Sequence, residues 1–192
     1  MPRGIVGKLK QAIGEARVLT DIFDMAPFLT DWRRRNTGRA ECAVFPDTRQ
    51  QVVEVVRIAA DVGRAIFPQG GNTGLCYGAV PSGADDGIVL GLHRMNRIRH
   101  IEKADNAITV DAGVVLSSIH EAAEQIDRGF PLHLGSEGTA QIGRLISTNA
   151  GCPSALRYGT ARDLVYGLEV VLANGEVLED SSPCAKTRRA TT

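Results

Sequence analysis

The chain has 192 residues, with 22 basic and 22 acidic side chains and a hydrophobic fraction of 43%. That length supports one good-sized core or two small lobes, and a net charge of zero argues against a nucleic acid or an anionic membrane recruited by bulk charge. Cys42, Cys76, Cys152 and Cys184 stand far apart with no CxxC and no Cys/His ligand spacing, which reads as free thiols in a reducing compartment, the cytoplasm, while no apolar run approaches the roughly 20 residues of a membrane span.

Residues 1–35 read as a polar, helical lead-in, an edge segment or lid, in which MPRGIVGKLKQAIGEARVL forms a short amphipathic helix without the apolar core of a secretory signal. A domain over residues 36–180 follows. CAVFP predicts a strand, and DTRQQVVEVVRIAADVG a helix capped by Asp47 or Thr48, with Val52, Val55, Val56 and Ala59 on one face and Gly63 as its stop. RAIFPQGG is a second strand that breaks into glycines, so strand, helix and strand predict a βαβ unit and a parallel pair. After GIVLGL, the run IRHIEKADNAITVDAG predicts a hairpin over Ala-Asp-Asn. LSSIHEAAEQI predicts a helix capped by Ser117 or Ser118, GFPLHLG a strand, and GTAQIGRLISTNAG a helix with glycines at its far end. LVYGLEVVLANGEVLED closes the ordered part as a hairpin over Ala-Asn-Gly. The fold class is α+β, divisible into two lobes near residue 100.

Two loops carry the chemistry. In FPQGGNTGLCYGAVP, Gly70, Gly71, Gly74 and Gly78 leave the backbone almost without Cβ atoms where a strand ends, which lets successive N–H groups form a nest for a phosphate or pyrophosphate. Asn72 and Thr73 add side-chain donors. A P-loop lysine and the GxGxxG spacing are both missing, so an anion-binding loop and a plain glycine-rich turn both fit. The second loop, LGSEGTAQIGRLISTNAGCPSALRYG, offers small side chains and exposed amides at Ser147, Thr148, Asn149, Ala150 and Gly151, a pattern shared with an ordinary helix cap. Together the loops suit a long ligand with an anionic middle, lying between two lobes.

Taken in order from about Pro27 to Leu178, the motifs PQGGNTGL, PLHLGSEGTAQIG, TNAG with RYG downstream, and GLEVVLANGEVL resemble the FAD-binding domain of the FAD-linked oxidases. More narrowly they are similar to the branch containing D-2-hydroxyglutarate and D-lactate dehydrogenases. The resemblance implies a PCMH-type FAD-binding fold of two α+β subdomains, the second incomplete here, with FAD stretched between them. It implies cofactor contacts from Pro68, Gln69, Gly70, Gly71, Asn72, Thr73, Gly74 and Leu75, the amides of Gly70 and Gly71 lying against the phosphates. A second set comes from Leu134, Gly135, Ser136, Thr139, Gly143, Thr148, Asn149, Ala150 and Gly151. Members that link flavin covalently through this loop carry a histidine where Asn72 stands, so FAD is expected to bind non-covalently. In such enzymes the flavin takes a hydride equivalent from the α-carbon of a small 2-hydroxy acid. A general base, carboxylate-binding groups and often a metal come from a separate C-terminal domain.

The chain departs from that pattern in several places. No catalytic residue of the family is expected within it, and His93, His100, His120 and His133 lie in no family-like metal motif, each reading as surface or core with no metal. Arg144 and Cys152 replace family glycines. Arg144 offers a charge to a phosphate but reads chiefly as a steric fault, and Cys152, if it needs a positive φ, is strained by on the order of 1 kcal/mol. From Ser181 to Thr192 the apolar period disappears, and the codons of that run, read in a shifted frame, permit much of the family's continuation. The expectation is a slipped reading frame near Ser181, an irregular tail, and a chain severed from its substrate domain that does not turn over alone. A split enzyme completed by a partner chain and an unstable, non-functional remnant are the alternatives. A nicotinamide-binding protein is disfavoured because no strand–GxGxxG–helix unit exists.

Overall fold

The structure, a computed structural model, describes residues 4–81 and 87–180. Two short, almost continuously apolar runs form its centre: β2 (Ala40–Val44) and β4 (Gly87–Gly91) lie side by side and parallel in a four-stranded sheet. Strands of that composition are stable only where both faces are covered. On one face Cys42, Val44, Ile88 and Leu90 pack against α1 (Ile5–Ile13) and α3 (Arg49–Asp61). On the other, Ala43, Phe45 and Val89 meet Met25 and Leu29 of α2 (Ile22–Leu29). α1 presents Ile5, Leu9 and Ile13 as a single buried stripe, so residues 5–13 are part of this core.

β1 (Val18–Leu19) flanks β2 in antiparallel fashion, and β3 (Ile66–Gln69) runs parallel to β4, giving the order β1-β2-β4-β3. The predicted strand–helix–strand unit is therefore present but its strands do not pair. β4 is inserted between β2 and β3, because its all-buried GIVLG requires a central position. Thr48 caps α3 by accepting the amide of Gln51 at 3.3 Å, and Gly63, at φ 65°, follows its end. Asp47, the other predicted cap, instead pairs with Arg17.

The second lobe is built on Val114, Leu116, Ile119, Leu132, Ala140, Ile142 and Leu145. It comprises the hairpin β5 (Ile98–Glu102) and β6 (Ala107–Val110), then α4 (Leu116–Glu124), α5 (Ile142–Ser147) and α6 (Ala155–Tyr158). Met95 still belongs to the first core and Ile98 to the second, so the lobes part between them. Two expectations are corrected here. α4 is not capped by a serine hydroxyl; Val115 is its N-cap, and the amides of Leu116 and Ser117 donate to the carbonyls of Ala140 and Glu137 at 2.9 and 3.0 Å. GFPLHLG forms no strand: Pro131 has no N–H to donate, and the carbonyls of Pro131 and Leu132 accept from Ser154 Oγ and the ring of His120 instead of from a neighbouring strand.

β7 (Leu168–Val171) and β8 (Val177–Asp180) form the predicted antiparallel hairpin. Arg49 of α3 pairs with Glu169 and Glu179, and Val171 packs on the first core. Leu168, Val170 and Leu178 are left 44, 40 and 55% exposed. No helix among the described residues is long and apolar enough to cross a membrane. The predicted irregular tail lies outside the described residues.

Candidate cofactor-binding site

At the end of β3 the side chain of Gln69 turns inward and is almost fully buried. Its Nε2 donates to the carbonyls of Phe28 at 2.9 Å and Ala79 at 2.8 Å, which ties both ends of the glycine loop to the end of α2. Three residues on, Asn72 adopts φ 50° and its Nδ2 donates to the carbonyl of Thr30 at 2.7 Å. The Asn72 carboxamide, expected to face a ligand as a donor, is thus committed to the protein. Among the described residues, no amide from Gly70 to Leu75 donates within the protein. Backbone N–H groups left unpaired in succession are the raw material of an anion-binding nest.

Gly70, Gly71, Gly74 and Gly78 all lack a positive φ. Three of the four face the second lobe closely, and at Gly71 the neighbour is main chain that cannot move aside. A Cβ on Gly71 would lie 1.8 Å from the carbonyl oxygen of Thr139, and one on Gly70 would lie 3.2 Å from Oε1 of Gln141 and 3.4 Å from Cβ of Arg144. On Gly74 it would lie 1.7 Å from Nη2 of Arg144. The first loop is therefore laid directly on residues 139–144 of the second lobe.

Two side chains meet at this junction: Gln141, which nothing in the sequence singles out, and Arg144, which the sequence marks chiefly as a steric fault. Gln141 is 5% exposed and its Oε1 is a buried acceptor with no partner among the described residues. The guanidinium of Arg144 makes no hydrogen bond or ion pair among the described residues. The steric fault expected at Arg144 does not occur, because Gly70 and Gly74 leave its side chain space. Tight backbone approach belongs instead to Gly143, where a Cβ would meet that of Ala112 at 2.7 Å. A row of free amides beside a free guanidinium and a glycine-cleared floor suits a phosphate or diphosphate.

The second loop is divided. Residues 134–140 form a tight turn in which Ser136 O accepts the amides of Thr139 and Ala140, leaving open space around Gly135 and Gly138. At 148–151 the expected exposed amides are mostly absent: those of Thr148, Asn149 and Ala150 donate to Arg144, Ile146 and Leu145 and close the end of α5. Thr148 Oγ1 donates to Arg144 O at 2.9 Å, and Asn149 Oδ1 accepts the amide of Arg162 at 3.1 Å. Gly151 alone keeps a free amide, with nothing near its Cα side. Among the described residues no hydrogen bond joins 69–75 to 148–151. Cys152 does not sit at positive φ, so its expected strain is absent; Asn149, at φ 51°, takes the left-handed turn that asparagine tolerates. The Cys152 thiol packs against the second core and lies 2.8 Å from Ser154 Oγ.

Residues 40–181 match the sequence model of the FAD-binding domain. The chain belongs to the FAD-binding domain family. Its cofactor is FAD, and its fold is the α+β fold of the PCMH-type FAD-binding oxidases. The FAD-binding domain is 36% identical over 178 residues to a putative mitochondrial D-lactate dehydrogenase of Schizosaccharomyces pombe, covering 93% of this chain and 34% of that protein. It is 39% identical over 164 residues to the mitochondrial D-2-hydroxyglutarate dehydrogenase of Bos taurus, covering 84% of this chain and 29% of that one. In three dimensions it is similar to alkyldihydroxyacetonephosphate synthase, with a TM-score of 0.83 at 16% identity over 93% of this chain and 34% of the other, a likeness of fold. The chain spans about a third of the length of the curated relatives it matches.

Proposed function

We propose that this FAD-binding domain holds its flavin for the oxidation of a small D-2-hydroxy acid to the corresponding 2-oxo acid. The observation that carries the cofactor assignment is the run of six amides from Gly70 to Leu75 that have no partner among the described residues, packed on Thr139 and faced by the Arg144 guanidinium, likewise unpaired among them. In this reading those amides and Arg144 hold the diphosphate, and Gln141 Oε1 accepts a donor of the cofactor. Leu134, Gly135, Ser136, Thr139 and Gly151 line the second side, while Gly143 packs on Ala112 and donates its amide to that residue's carbonyl. Pro68 starts the loop, and Gln69 and Asn72 fix its shape from behind. Thr148, Asn149 and Ala150 hold the end of α5, a positioning role. A carboxamide at Asn72 that donates to Thr30 offers no group for a covalent flavin link, which supports non-covalent binding. When bound, the flavin supplies two-electron acceptor chemistry. The base and the carboxylate-binding groups come from polypeptide beyond these residues.

Titration of FAD into the purified protein, followed by quenching of flavin fluorescence, tests the site. We expect saturable binding, an affinity about tenfold weaker in Arg144→Ala, and a smaller difference between the two proteins at high salt. Folded protein that takes up no flavin overturns the reading.

A second polypeptide, covalently continuous or separate, is favoured by the exposed apolar face of β7 and β8, where Leu168, Val170 and Leu178 stand open. Recovery of a substrate-domain chain with this one from its own cells would mark a split enzyme. The free thiols of Cys42, Cys76 and Cys152 support a reducing compartment, the cytoplasm in this proposal.

A further inference from the structure

The second lobe carries a side-chain cluster that flavin binding does not use. His120 lies on α4, and His133 and Glu137 on the segment leading to α5; from sequence the two histidines read as surface or core positions and Glu137 drew no reading. The structure brings them together. Nδ1 of His120 lies 3.7 Å, and Nδ1 of His133 3.6 Å, from the same oxygen of Glu137, Oε2. The two rings are 4.5 Å apart between centroids, and one nitrogen or oxygen from each of the three residues falls within 4.8 Å of the others.

The tautomer of His120 is set by its surroundings. Its Nε2 lies 2.9 Å from the carbonyl oxygen of Leu132, which can only accept, so Nε2 carries a hydrogen and the neutral ring has its lone pair on Nδ1, the atom nearest Glu137. Metal-bound imidazoles are characteristically oriented in this way, by a second ring nitrogen donating to a backbone carbonyl. The His120 side chain is only 20% exposed, confined between Phe130 and His133. A simple surface ion pair would set two imidazolium rings against each other to serve one carboxylate. A dication between neutral rings removes that repulsion. Donors about 2.0–2.2 Å from a common ion stand roughly 3–3.6 Å apart, close to the 3.7 and 3.6 Å that separate the two imidazole nitrogens from Glu137 Oε2.

We propose that His120, His133 and Glu137 bind a divalent transition-metal cation through two imidazole nitrogens and one carboxylate oxygen, with the remaining positions open to water. Two imidazoles and one carboxylate suit Zn²⁺ or its first-row neighbours better than Ca²⁺ or Mg²⁺, which prefer oxygen ligands throughout. The ion would clamp α4 to residues 133–137. Glu137 O already accepts the amide of Ser117, and the turn that follows carries Thr139 to its contact with Gly71, so the role is structural and independent of any hydroxy-acid chemistry.

The test is calorimetric titration of ZnCl₂ into tag-free wild-type protein, with Co²⁺ absorption as a second readout of nitrogen and oxygen coordination. One equivalent should bind. His133→Ala and Glu137→Gln, both at well-exposed side chains, should each weaken binding about tenfold or more. His100→Ala, outside the cluster, should leave it unchanged. The wild type, but not His133→Ala, should gain melting temperature with added Zn²⁺. Folded wild type that binds no equivalent, or affinity unaltered by both substitutions, overturns the proposal whatever the flavin titration shows.

Discussion

The guanidinium of Arg144 occupies the place beside Gly74 that a side chain there would need: a Cβ on Gly74 would fall 1.7 Å from its Nη2. One lobe thus supplies the cation and the other the vacancy that receives it. The pair joins β3's loop to α5 near the end of the run of free amides.

Gly71→Ala and Gly74→Ala should therefore fail differently. At Gly71 the obstacle is the Thr139 carbonyl, part of the main chain, so overpacking should cost on the order of 1–3 kcal/mol of stability and displace the loop. At Gly74 the obstacle is the end of a flexible side chain, which can swing away. Gly74→Ala should leave the melting temperature nearly unchanged yet weaken FAD binding about as much as Arg144→Ala does. The double variant should be little worse than either alone. Differential scanning fluorimetry and flavin titration on the wild type and the four variants measure both effects.

Asp111 is a buried carboxylate that accepts Arg97 Nε at 3.3 Å and Arg99 Nε at 2.6 Å, and Arg99 also reaches Glu169 of β7 at 3.4 Å. Burial acts to lower the Arg99 value, but the Asp111 and Glu169 carboxylates outweigh it and hold the guanidinium above its ordinary range. Asp111→Ala leaves two arginines without their shared partner. Because both arginines are partly solvated, the loss should be on the order of 2 kcal/mol, read from urea denaturation.

Asp31 accepts the backbone amides of Arg33 and Arg35, each at 2.8 Å, and that of Asn36. Burial alone would raise its carboxyl, yet these amides win and hold it below the usual carboxylate range. A folded-state value below the unfolded one means a contribution that is present above about pH 4 and lost as pH falls through the folded value. Thermal melts between about pH 5 and about pH 3 should show wild type losing stability more steeply than Asp31→Asn. Because the 30–37 loop holds the carbonyl that receives Asn72, FAD affinity should fall over the same interval.

Thiol chemistry should follow burial. Cys42 is fully enclosed and burial pushes its thiol up to about 12, so it stays protonated and inaccessible. Cys76 is exposed, and the Ser154 hydroxyl beside Cys152 holds that thiol below its ordinary value. Iodoacetamide at neutral pH, followed by peptide mass spectrometry, should label Cys76 and Cys152 within the time that leaves Cys42 intact. Denaturant should abolish the difference.

Legibility in the sequence followed locality. Thr48, the Val52–Ala59 stripe and Gly63 are enough to bound α3, since cap, face and stop all lie within one segment. The order of motifs from Pro68 to Leu178 was enough for the family, the fold and the cofactor. What escaped depends on partners distant along the chain. The insertion of β4 between β2 and β3 is a property of the sheet and of neither strand. The amides at the start of α4 are capped by carbonyls of Glu137 and Ala140, which no serine-based signal announces. Arg144 read as an obstruction because the space that admits it belongs to Gly74. Glycine opposite a large cation is a usable signal only once the two loops are known to touch.

The carboxamide clasps at Gln69 and Asn72 bear on how flavin comes and goes. Both are made by the protein to itself, through Phe28, Ala79 and Thr30, so the mould stands before any guest arrives. Little ordering entropy is then left to be lost at docking. Entry becomes a matter of diffusion into a ready-shaped seat, and the lifetime of the holoprotein is governed by how slowly the dinucleotide works itself free.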